Sequence, residues 1–242
     1  MVRKRSTYTI RPNREKEKSL CVCGGERERE RDMDQVEIGT GEHEQKAEQQ
    51  NLGLLQQVMK EIEGVLTHHA DHLTTALADH IKALNKKKKT NSAFLHGVGR
   101  EGLMMKGLAM RLFHMGIPVH CIGDMTTPPI TRGDLLLVSA GPGNFATIKA
   151  LTEVAHGAGA RVVLLTAQPE TAEAHYGGIL HQILHLPAPT MADNHHGSAH
   201  LLPMGSAYEG ALFVLFELLI IKLSAELQVS AAAMSARHTN LE

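Results

Sequence analysis

Tryptophan is absent from this chain, and aromatic residues of every kind make up only 3% of it. Such a composition argues against the aromatic platforms on which nucleic-acid bases stack. A formal net charge of -1 and a pI near 7.0 argue against a nucleic-acid or polybasic membrane surface as well. Cysteine is scarce: Cys21, Cys23 and Cys121 form no even framework, and the first two stand too close for an ordinary disulfide or zinc clip. The plain reading is a reducing, cytoplasmic compartment. No apolar run approaches the roughly 20 residues that a membrane span requires. The most apolar stretch, Ala211 to Leu223, is broken by Glu217 and Lys222. No secretory apolar region follows the basic first residues, and Glu15 and Glu17 count against an organelle transit peptide.

Leu, Ile, Val, Ala and Met are plentiful, and they must build the core. Residues 1–48 contribute nothing to it. "REKEKS" and "GERERERD" are charge-dense and carry no apolar period, so this segment reads as a disordered tail, and Met33 opens a more ordinary sequence. The folded domain is expected over residues 49–242. Leu52, Leu54, Leu55, Val58, Ile62 and Leu66 follow helical spacing, and Leu73, Ala76, Leu77, Ile81 and Leu84 mark a second helix. Lys86 to Lys89 then read as a solvated helix end.

From Ser92 the pattern alternates. Strands are predicted at Ala93–Val98, Pro118–Ile122, Asp134–Ser139, Arg161–Thr166 and Gln182–Leu186. Helices are predicted at Gly102–Met115, Asn144–His156, Glu170–Tyr176 and Ser206–Leu227. Short buried strands alternating with helices imply an α/β fold, a doubly wound three-layer αβα sandwich on a mostly parallel five-stranded sheet, preceded by two helices. Ligands bind such sheets beyond the strand carboxyl ends, which directs attention to the loops Gly97–Gly102, Ser139–Thr147 and Pro203–Glu209.

Gly97, Gly99 and Gly102 spell G-x-G-x-x-G between a strand and a helix, and Asp124 follows the next strand. Those are the local criteria of a dinucleotide site. Ser206 and Glu209 form S-x-x-E before an apolar run, the pattern of a capping box. His195, His196 and His200 cluster with Asp193. Histidines at short spacing can ligate zinc, but the favoured reading is a polar loop before the helix that carries Glu209, and no metal is assigned.

Taken together and in order, "GVGREG" (Gly97–Gly102), "AMRLFHMG" (Ala109–Gly116), "TPPITRGDLLLVSAGPG" (Thr127–Gly143), "PMGSAYE" (Pro203–Glu209) and "ARHTNLE" (Ala236–Glu242) resemble the 3-hexulose-6-phosphate isomerases, a family of sugar isomerase (SIS) domains. The resemblance runs from about Asn51 to the C-terminus. It implies an aldose–ketose isomerase that moves a carbonyl between C1 and C2 of a phosphorylated ketohexose through an enediol. It further implies Glu209 as the base and His238, lent by a neighbouring subunit, as the second catalytic group. Gly99, Arg100, Glu101, Asn144 and Thr147 would face the substrate, with no cofactor, in a homo-oligomer that the family's habit makes a tetramer. The match departs at one loop. The family pattern SGSGETTS is here Ala140 to Thr147, AGPGNFAT, and Glu101 replaces a serine. Two serines and two threonines are missing, and Pro142 removes an N–H donor. A sugar-phosphate-binding or assembly protein without turnover is therefore the alternative function, and a dinucleotide-binding protein the remote one.

Overall fold

The computed structural model describes residues 26–85, 91–191 and 201–241, of which 26–43 are described by backbone alone. The lysine run 86–89, the histidine loop and residues 1–25 lie outside the described residues. The chain divides into two compact units, Met1–Leu52 and Gly53–Glu242. Helix α1 (Glu26–Leu66) begins in the first and ends in the second. Its helical backbone thus starts well before the apolar spacing does. Gln, Glu, Lys and Ala dominate residues 44–50, which are all exposed. These are strong helix formers, and helix propensity leaves no mark on an apolar periodicity.

The second unit is an α/β sandwich. Strands β1 (Ala93–Gly97), β2 (Val119–Cys121), β3 (Leu135–Ser139), β4 (Arg161–Thr166) and β5 (Gln182–His185) form one sheet in the order β2-β1-β3-β4-β5. Every pairing is parallel. Side chains of successive strand residues point to opposite faces, and the two faces bury different partners. Leu95, Leu135, Leu137, Val163 and Leu165 pack against α2 (Ala70–Lys82), α3 (Arg100–His114) and α6 (Ser206–Leu227). Phe94, Leu136, Val138, Val162 and Leu164 face α4 (Ala146–Gly157) and α5 (Pro169–Tyr176). All five residues of β3 are buried, as expected of a strand covered on both sides. The expected fold class is the one observed, and from Ser92 on no strand or helix boundary differs from the expected one by more than two residues.

At the amino ends of the strands, buried Asp134 fixes the alignment of β1 and β3. It accepts hydrogen bonds from Ser92 N (2.8 Å), Thr131 N (2.7 Å) and Thr131 Oγ1 (2.9 Å). A short helix α7 (Ala231–Ser235) follows α6 and closes on the far end of α3, where Arg237 donates to His114 O at 2.9 Å. Helix α6 supplies nine buried residues, among them Tyr208, Leu212, Leu215, Leu219 and Leu223. It also leaves Phe213 and Ile221 57% and 67% exposed.

Candidate functional site

In a parallel sheet of order 2-1-3-4-5 the chain reverses its winding between β1 and β3, and a crevice opens beyond the carboxyl ends of those strands. The three loops singled out from sequence reach this end of the sheet. The first carries the glycines. Gly97 and Gly102 press strand and helix together: a Cβ on Gly102 would lie 2.6 Å from Gly97 O, and one on Gly97 2.9 Å from Gly102 N. Gly99 has φ 61° and ψ -132° at the N-cap of α3, a conformation strained for any side chain. Close packing thus accounts for Gly97 and Gly102, and backbone conformation for Gly99. Asp124 is exposed and lies 4.0 Å from Lys106 Nζ.

Arg100 and Glu209 meet across the crevice. Arg100 Nη2 lies 2.6 Å from Glu209 Oε2 and donates to Met204 O at 3.1 Å, while Nη1 donates to Ser206 Oγ at 3.2 Å. One guanidinium therefore braces the start of α6 and its carboxylate. The capping-box expectation fails here. The N-cap is Gly205, left-handed at φ 80°, and Ser206 Oγ donates to Pro203 O at 2.7 Å, away from the first-turn amides. Glu209's backbone N–H is bonded to Gly205 O (3.2 Å) and that of Ser206 to Pro203 O (3.1 Å), so neither bond of the box forms and the Glu209 carboxylate is left to Arg100. Burial pushes the Glu209 carboxyl up, against the charge and hydrogen bond of Arg100. Its side chain is 16% exposed, compared with 53% for Arg100.

Glu101 points the other way, into the protein. It is 7% exposed, and both carboxylate oxygens accept from Gly141 N, at 3.1 and 3.0 Å. Ser139 Oγ donates to Oε2 at 2.5 Å and lies 3.2 Å from Tyr208 Oη. Burial raises the Glu101 carboxyl; the bonds from Ser139 and Gly141 oppose that, and the charge of Glu209 adds to it. Tyr208 is fully buried, and its hydroxyl is held well above the usual tyrosine range. Glu101 therefore belongs to the wall of the site, where a substrate contact had been expected. The sequence reading does not include its bond to Ser139 or the contact of Ser139 with Tyr208. The available signal was modest: a serine ending an otherwise apolar strand, and a tyrosine beside Glu209.

The second loop is a tight turn. Gly141 N is taken by Glu101, Pro142 has no N–H, Gly143 N bonds to Ala140 O at 2.8 Å, and Phe145 N bonds to Tyr176 Oη at 3.2 Å. Gly141 O accepts from Ala167 N and Thr166 Oγ1, tying the turn to the end of β4. Gly143, at φ 88°, has no room for a Cβ, which would lie 2.8 Å from Gln168 O. Helix α4 starts later than expected, with Phe145 as N-cap, so Asn144 does not cap it. Asn144 Oδ1 is buried and accepts no hydrogen bond among the described residues. Thr147 is exposed in the first turn of α4. Asn144 lies on the loop that leaves β3 and Thr147 in the helix that follows it, both beyond the carboxyl end of that strand.

His238 is not brought to this site by its own chain. Its ring lies 5.1 Å from that of His114, at the carboxyl end of α3. Arg100 is at the other end of that helix, about 20 Å away at 1.5 Å per residue.

The chain is 40% identical over 151 residues to a 3-hexulose-6-phosphate isomerase of Mycobacterium gastri, a match covering 62% of this chain and 73% of the relative. With the 3-hexulose-6-phosphate isomerase of Bacillus subtilis it shares 28% identity over 186 residues, covering 77% and 96% of the two chains. A crystal structure from Methanococcus jannaschii, for which a 3-hexulose-6-phosphate isomerase function has been inferred, superposes with a TM-score of 0.64 at 22% identity. That superposition covers 78% of this chain and 98% of the other, and it shows the fold. No family model matches the chain.

Proposed function

The chain belongs to the 3-hexulose-6-phosphate isomerase family, and on that basis we propose that it is an isomerase of phosphorylated sugars that moves a carbonyl to an adjacent carbon through an enediol. A 3-hexulose carries its carbonyl at C3, so for that substrate the shift starts from C3 and does not run between C1 and C2. The observation that carries this reading is Glu209. It is a carboxylate raised by burial, held by Arg100, and left without a capping duty at the mouth of the crevice. A base that shuttles a proton between adjacent carbons works best when its pKa lies near the operating pH, and burial moves Glu209 in that direction. Arg100 keeps the carboxyl ionised and presents a half-exposed guanidinium to the substrate's oxygens. Asn144 and Thr147, at the start of α4, offer side-chain partners to the sugar phosphate, and the helix start favours its charge. His238 enters only from another subunit, as the general acid that opens the ring or polarises the carbonyl. The reaction requires no cofactor.

The tight turn favours a second reading, a protein that binds a sugar phosphate without turning it over. One assay separates the two. With hexulose 6-phosphate in deuterated water, an isomerase yields product with solvent deuterium at the carbon to which Glu209 returns the proton, and re-formed substrate with deuterium at the adjacent carbon from which it was taken. Binding by calorimetry with no deuterium uptake would sink the isomerase and leave the binding protein.

A homotetramer is part of the proposal, since the site is incomplete without a second subunit's His238. Helix α6 is apolar on more sides than its own core covers, leaving Phe213 and Ile221 in solvent. Beside it, Met59, Ile62, Leu66, Ala70, Val214 and Leu218 line an apolar groove of about 430 Å³. Exposed faces of this kind mark interfaces. Sedimentation equilibrium at micromolar concentration should give a mass near four times the 26.4 kDa chain. A monomer would remove His238 from the mechanism.

A further inference from the structure

Glu101 is a buried carboxylate beside the site for which the proposed reaction has no use. It brings a negative charge to the end of the crevice where an anionic substrate is to bind. Its carboxylate does there what a bound anion would do. It takes the Gly141 amide with both oxygens and the Ser139 hydroxyl with one. The other backbone donors of the Ala140–Gly143 turn are spent or missing: Ala140 N on Leu165 O, Gly143 N on Ala140 O, and none at Pro142. The side chain cannot leave easily. It is 7% exposed, and the Tyr208 ring and the Glu101 carboxylate both lie close enough to Gly141 that a Cβ there would meet them at 3.1 and 3.0 Å.

We propose that Glu101 is a specificity-determining residue, an anion built into the site that keeps a phosphate dianion off the Ala140–Gly143 turn. The ligand's phosphate is thereby confined to the outer mouth, between Arg100 and Thr147, and only a neutral part of the sugar approaches the turn. Two physical effects act together. The carboxylate repels a second anion at short range in a partly dehydrated crevice, and it occupies the amide that an anion would need. This inference rests on the sugar-phosphate reading for its ligand, although the exclusion itself concerns any phosphate.

The test is titration of inorganic phosphate and of hexulose 6-phosphate into the full chain and into Glu101→Gln and Glu101→Ser. Glutamine keeps the shape and an acceptor for Gly141 while removing the charge; serine also vacates the space. Glu101→Ser, which also frees the Gly141 amide, should bind inorganic phosphate at least about tenfold more tightly than the wild type, as expected when a charged hydrogen-bonding partner is gained. Glu101→Gln, which removes only the repulsion, should bind it more tightly than the wild type by a smaller factor. Affinity for unphosphorylated fructose should be unchanged. Unaltered or weaker phosphate binding by a variant that keeps the wild-type melting transition would overturn the proposal. Should neither variant fold, the wild type still decides the matter through its Gly141 amide resonance. That signal should stay fixed as phosphate is added, and a saturable shift refutes the exclusion. Failure of the isomerase reading looks different. Tighter phosphate binding by the variants with no deuterium exchange in any form sinks the reaction and keeps Glu101's role. Exchange by the wild type without tightening does the reverse.

Discussion

Glu209→Gln should lower solvent deuterium exchange and isomerisation by at least about a hundredfold, in line with the 10²–10⁴ that a positioned general base contributes. The melting transition should move by only a few degrees. Glu209's side chain is bound in the structure by Arg100, a partner 53% exposed, and solvent-screened pairs of that kind are worth about 1 kcal/mol or less. The backbone N–H of Glu209 keeps its bond to Gly205 O whatever the side chain. A glutamine amide can still accept from the Arg100 guanidinium but cannot take a proton from carbon. The wild-type pH profile carries the same information. The base works only when ionised, so activity is lost as pH falls through its pKa. Burial has raised that value, and the acid limb should therefore lie above the ordinary glutamate range near 4.3. A profile flat down to that range, or a Glu209→Gln variant that still exchanges protons at the wild-type rate, would remove Glu209 from the role of base.

The sheet was legible in the sequence because its strands are short apolar runs covered on both faces, as in LLLVS and RVVLLT, with helices of clear period between them. Helix α6 was read with its full boundaries because it is a long apolar run that starts just past Gly205 and ends where Gln228 turns left-handed. The start of α1 was not legible, since polar helix formers carry no apolar stripe. At the site, Arg100 and Glu209 could be placed at the strand carboxyl ends by topology, and their 2.6 Å contact follows from the switch point between β1 and β3. The inward turn of Glu101 could not be read in this way. A glutamate in the first turn of a helix is ordinarily a solvated partner of the helix dipole. Only the approach of β3 to α3, which brings Ser139 and Gly141 within hydrogen-bonding reach, makes burial tolerable for it. Asn144 was misplaced for a related reason. It has the chemistry of an N-cap, but the tight turn through Gly143 delays the helix until Ala146, and Phe145 takes the cap position with its amide on Tyr176.

Arg100→Met should have two separable effects on the reaction, and their separation tests whether the guanidinium does more than bind substrate. The first is on the base. Arg100's charge and hydrogen bond are what oppose the upward push of burial on Glu209. Their removal should raise the Glu209 carboxyl further, and the acid limb of kcat/KM should move to higher pH. The second appears at pH values above both limbs, where Glu209 is ionised in either protein. There kcat/KM should still fall by about tenfold to a hundredfold, the equivalent of one charged hydrogen bond of about 1.5–3 kcal/mol to the substrate. Arg100→Lys divides these contributions. A lysine restores a positive charge near Glu209 and should return the acid limb toward its wild-type position. It cannot reproduce the fork that reaches Glu209, Met204 O and Ser206 Oγ at once, so most of the loss at high pH should remain. Stability should change little in either variant, because the arginine is half in solvent. An acid limb that stays put in Arg100→Met would mean that the contact is too well screened to tune the base, and Arg100 would then be left with substrate binding alone.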